Sequence, residues 1–120
     1  MPNKINKNCN RFVTVRSKAT LAADTIPLAS DFAQDQRFDA SGADYILFYW
    51  TGTTPSGTVD FTVYMWDADT SVWVKGDTVA TVAVGTLAKL PAYGASNAVL
   101  TMANVGSGTN IKVNAFGWDD

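Results

Sequence analysis

The sequence contains no histidine and no glutamate; its eleven acidic residues are all aspartate, and it has a single cysteine, Cys9. Each absence removes a class of chemistry. Histidine is the side chain that most often moves protons or binds metals near neutral pH. A lone cysteine cannot form an internal disulfide, which excludes a disulfide-stapled mini-domain. Cys9 also lacks a histidine to activate it as a nucleophile. Charged residues make up 17% of the chain, against about 25% in an average globular protein, so part of the surface is expected to be covered by a partner. The longest apolar run, Tyr45 to Trp50, falls far short of the ~20 residues of a membrane-spanning helix. The segment Met1 to Asn8 has no apolar signal core. Synthesis in the cytoplasm, with no membrane partner, is the expectation.

What is present is enough for one domain. A chain of 120 residues with 47% hydrophobic content can close a core without metals or disulfides. Thr, Val, Ala, Gly and Ser dominate, and with glutamate missing this composition favours strands joined by polar turns. Phe12 to Arg16 alternates. Ala19 to Ile26 holds a short strand stopped by Pro27, and Ser30 to Asp39 reads as a loop followed by a strand near Arg37. Tyr45 to Thr51 is apolar on both faces, like a central strand with both faces covered. Val59, Phe61, Val63 and Met65 alternate with Asp60, Thr62, Tyr64 and Trp66, the two-residue period of a strand with one core face. Asp67 to Ser71 turns the chain into Val72 to Lys75, with Val72 and Val74 inward and Trp73 outward. Thr78 to Val84, Ala98 to Ala103 and Asn110 to Phe116 are further strands, and Gly85 to Ala95 is the longest irregular connection. About eight strands and almost no helix point to an all-β fold, a single antiparallel β-sandwich of jelly-roll-like type. Residues 12–120 form the sandwich and residues 1–11 an extended basic N-terminal arm.

The charge is divided along the chain. Residues 1–18 hold Lys4, Lys7, Arg11, Arg16 and Lys18 and no acid, whereas the remainder has four basic residues against eleven aspartates, a balance of minus seven. A basic segment on an acidic body can reach an acidic neighbour; a solvated, unstructured terminus is the plainer reading. The five cations are the candidate partner-binding residues.

No motif supports catalysis. Asp67-Ala68-Asp69-Thr70-Ser71 offers oxygens at alternate positions but lacks the glycine and distal glutamate of a calcium loop, and an aspartate-rich turn accounts for it. Asp39, Asp44 and Asp60 could be paired on paper as glycosidase carboxylates, yet Asp44 and Asp60 flank strands, where turn and solvent-facing positions are common, and nothing suggests a pocket. Gly52 to Gly57 and Gly106 to Gly108 lack the ending of a phosphate-binding loop. The basic segment is short and the body acidic, which disfavours nucleic acid. We expect no enzyme, no cofactor, no metal and no small-molecule substrate. The outward aromatics Tyr64, Trp66 and Trp73, with Trp118 beyond Phe116 on the last strand, are either an interface or sugar platform or are covered within the subunit or its oligomer, the commoner fate of large aromatics.

The short basic segment feeding a compact sandwich, the stretches Tyr45 to Trp50 and Tyr64 to Val74, and the direct ending on Phe116-Gly117-Trp118-Asp119-Asp120 together resemble small tailed-bacteriophage virion structural proteins, especially capsid decoration (cement) proteins. The likeness covers architecture over most of the chain and no signature motif. It implies a homotrimer on the virion capsid surface, bound to the major capsid protein and bridging its subunits. A carbohydrate- or receptor-binding module of a fibre or adhesin is the alternative, and a neck or tail connector protein a third reading.

Overall fold

A computed structural model describes residues 2–9, 11–20, 24, 32 and 34–119. Among these residues nine strands form two sheets: β1 (Asn3–Lys4), β2 (Val13–Thr20), β3 (Phe38–Asp39), β4 (Tyr45–Thr53), β5 (Thr58–Asp67), β6 (Val72–Ala83), β7 (Ala88–Pro91), β8 (Ala98–Ala103) and β9 (Thr109–Trp118). One sheet runs β1-β3-β8-β5-β6 and the other β2-β9-β4-β7. All pairings are antiparallel except β1 with β3. Among the described residues the only helical element is one 3-10 turn, Gln34–Gln36. The fold is thus the expected all-β sandwich. Of the short strand expected between Ala19 and Ile26, only its first two residues lie in β2, and Pro27 lies outside the described residues.

The two inner faces build the core. β5 contributes Val59, Phe61 and Val63, all fully buried, as its two-residue period requires. β4 contributes Ile46, Phe48 and Trp50, and Phe48 meets Phe61 edge-on with ring centroids 5.0 Å apart. The Trp50 indole donates to the Val82 carbonyl at 2.8 Å, so the largest core side chain leaves no polar atom unsatisfied. Tyr45, Leu47 and Tyr49, on the opposite face of β4, are half-buried rather than covered by a further layer. This interior strand therefore has one core face and one open face, unlike its expected two covered faces.

Two other expectations change. β6 is continuous from Val72 to Ala83, joining two segments that read as separate, because a bulge takes up the glycine between them: Thr62 pairs with Thr78 but Tyr64 with Lys75. Gly76 is required there, since a Cβ would lie 2.6 Å from a methyl of Val63. The Gly85 to Ala95 connection contains β7, which pairs with Tyr45 to Phe48 and then turns tightly through Tyr93 and Gly94.

Candidate binding surfaces

The N-terminal segment lies along the sandwich. β1 adds to β3, Ile5 is buried, and Asn6 and Asn8 bond the backbone of Gly117. Lys4 reaches Asp39 at 3.7 Å and Lys7 reaches Asp119 at 2.9 Å. These pairs are open to water and contribute little to stability; the lysine side chains stay accessible, as does Arg11.

Arg16 is placed differently from its expected surface position. Along β2, Thr14 pairs with Asn114 but Arg16 with Val113, so one extra residue is inserted between them. This bulge turns Arg16 onto the core face that Val113 occupies, beside the equally buried Val15. Its guanidinium donates to both oxygens of Asp24 (3.2 and 3.1 Å), to Gln36 Oε1 (3.2 Å) and to the Leu100 carbonyl (2.7 Å), and it sits 4.7 Å from the Phe32 ring centre. Lys18 donates to the same Asp24 at 2.9 Å, and the Met102 amide donates at 2.6 Å. Burial pushes the Asp24 carboxyl up, but the Arg16 bonds and charge, the Lys18 bond and the Met102 amide together outweigh it and hold the group below its ordinary value. Arg16 thus holds the fold together and is not part of an outward basic arm.

Tyr64, Trp66 and Trp73 share the outer face of the five-stranded sheet, as their alternation implies, but they do not form an open platform. Trp66 and Trp73 are directly paired across the hairpin, rings 5.2 Å apart. Phe32 meets Trp73 edge-on at 6.1 Å and the Arg37 guanidinium lies 5.1 Å from its ring centre, leaving Trp73 and Tyr64 buried. Burial raises the Tyr64 hydroxyl above its ordinary range. Val72 and Val74, read as inward, are about half exposed on β6, the edge strand of its sheet.

The aspartates do not converge on a reaction site. Asp60 accepts from the Thr81 amide at 2.7 Å and from Asn104, and Asp39 accepts from Ser41. Asp67 closes its own turn by accepting from the Asp69 amide and the Thr70 hydroxyl. Among the described residues no three acidic or thiol groups cluster as a metal site.

Among the described residues an open aromatic surface lies on the outer face of β4, β7 and β9. In one row Tyr45 stands between Pro91 and Trp118; in the next, Leu47 stands between Lys89 and Phe116. Phe12 packs edge-on against both Tyr49 and Phe116 at 4.9 Å. Two shallow hollows adjoin: one of 310 Å³ lined by Asp44, Tyr45, Pro91 and Tyr93, the other of 360 Å³ lined by Leu47, Lys89, Phe116 and Trp118. Of the four aromatics singled out from sequence, Trp118 alone reaches this open face, 41% exposed. Tyr45 and Tyr93 were missed, the first inside a run read as buried and the second inside a connection read as irregular. Comparison of the chain with family models, curated proteins and solved structures finds no match.

Proposed function

We propose that this chain is a non-enzymatic virion structural protein, a capsid decoration (cement) protein that assembles as a homotrimer, binds the major capsid protein on the outer surface of the head and bridges neighbouring subunits. The observation that carries the reading is the distribution of exposed apolar side chains about β6. Val72 and Val74 are exposed at its start, Val84 and Leu87 just beyond its end. A twelve-residue strand separates them by roughly 35 Å. Apolar contacts at both ends of a stiff sandwich are what a protein needs to hold two neighbours at a set distance. Lys4, Lys7 and Arg11 add accessible positive charge for an acidic partner surface. Many copies on a lattice gain avidity, so each contact can be weak.

The test is co-sedimentation of the full chain with undecorated shells of the major capsid protein, followed by cryo-electron microscopy. The expected result is saturable binding with density on the outer surface. Val74→Asp and Leu87→Asp should each weaken binding without unfolding the chain. Absence of co-sedimentation at every salt concentration overturns the proposal.

A further inference from the structure

Tyr93 has an arrangement that the fold itself does not explain. It stands at φ +52° with Gly94 at +66°, and the Ala95 amide donates to the Ala92 carbonyl at 3.0 Å, the geometry of a two-residue type I′ turn. Asn, Asp or Gly is preferred at its first central position, because a larger side chain there crowds the backbone. Tyr93 is nonetheless there, and its ring is 64% exposed, so little packing offsets the strain. Ser71 and Thr81 share this backbone conformation, but among the described non-glycine residues at positive φ Tyr93 alone presents an aromatic side chain to the outside, a placement that points to a binding role.

The turn is also held rigidly. The Ala92 and Tyr93 amides both donate to the Asp44 carbonyl, at 2.8 and 3.2 Å, and the Gly94 amide donates to Ala43 at 2.8 Å. Tyr93 is therefore fixed relative to Asp44 and Tyr45 before any ligand arrives, which lowers the entropy lost on binding. On the far side of Tyr45 lies Trp118. The row from Pro91 through Tyr45 to Trp118 crosses two strand spacings, about 10 Å.

The charges select the ligand. The Lys89 ammonium lies 4.0 Å from the centre of the Tyr45 ring, and the exposed Asp44 flanks the same ring. Charges of both signs line this aromatic floor: Lys89 and Asp44 beside Tyr45, and next to them Asp119, which accepts from the Asp44 amide at 3.2 Å and pairs with Lys7 at 2.9 Å. An anionic ligand meets Asp44 and a cationic one meets Lys89, whereas a neutral molecule rich in hydroxyls can donate to the carboxylate and accept from the ammonium. A pyranose has that chemistry, with an apolar C–H face to lie on the rings. We propose that the hollows on the outer face of β4, β7 and β9 bind a neutral oligosaccharide, with Tyr93 and Trp118 as the stacking surfaces, the Tyr45 ring under Lys89 as the floor between them, and Asp44 and Lys89 as the hydroxyl partners. The proposal goes beyond the capsid reading and uses a different surface from the apolar ends of β6.

The experiment is an amide NMR titration of the full chain with a panel of neutral oligosaccharides of glucose, galactose, mannose and N-acetylhexosamines. A binding sugar should shift resonances in residues 43–47, 89–94 and 116–118 and no others. Tyr93→Asn, which suits the turn better, should weaken that sugar about tenfold or more while the melting temperature stays level or rises. Trp118→Ala should weaken it comparably, and Trp66→Ala should leave it unchanged. No response to any sugar overturns the proposal, as do shifts confined to another face or full affinity in Tyr93→Asn. Concentration-dependent shifts of the same resonances without sugar reassign the surface to self-association and equally overturn it.

Discussion

Replacing Asp24 by asparagine removes the countercharge of a guanidinium that is 2% exposed. Asp24 accepts from Arg16, Lys18 and the Met102 amide at once. An asparagine keeps one acceptor oxygen and turns an amide donor toward those donors, so at least one contact becomes donor against donor. Breaking a buried pair from one side costs about 3–5 kcal/mol, a large share of the ~5–15 kcal/mol of a typical domain. For a chain of this length that is a fall in melting temperature of about 12–20 °C. Urea unfolding followed by tryptophan fluorescence measures it directly, with a midpoint lowered by roughly 2 M. The same reasoning predicts a change of sign. Arg16→Met destabilises the wild-type chain, because Asp24 is then buried without its main partner. In an Asp24→Leu background it stabilises, because it removes the stranded cation. An Asp24→Asn loss below ~1 kcal/mol, or an Arg16→Met effect of the same sign in both backgrounds, would refute the reasoning.

The depressed Asp24 carboxyl contributes stability that is complete above its ordinary value of 3.8 and is lost as pH falls through its lower folded value; acid unfolding should therefore steepen below about pH 4, and Asp24→Asn should flatten that limb. Gly76→Ala places a methyl 2.6 Å from Val63 Cγ1 and 3.0 Å from its carbonyl oxygen, so it should cost about 1–3 kcal/mol, with a smaller increment when Val63 is already alanine. Ile5 is 4% exposed against the core, so Ile5→Ala should cost about 2–5 kcal/mol in urea unfolding; a neutral result would show that the N-terminal segment does not help hold the sandwich.

The sequence by itself determined the class of the fold and the orientation of its clearest strands. Where one face is buried and the other is not, the alternation is written into the residues, which is why Val59, Phe61 and Val63 point inward and Phe116 and Trp118 outward as their spacing demands. The tertiary structure decided what depends on a second segment. A bulge is a property of two paired strands, and the one in β2 reverses the face of every residue after it, carrying Arg16 from the surface to the core. The same holds for β6, whose two halves join only because Gly76 lets the strand pass close to Val63. Whether an outward aromatic is open or covered depends on which distant chain packs over it. Trp73 is roofed by Phe32 and Arg37 and buried, while Trp118, touched only edge-on by Phe116, stays 41% exposed. Local periodicity states which face a side chain takes; only long-range packing states what that face meets.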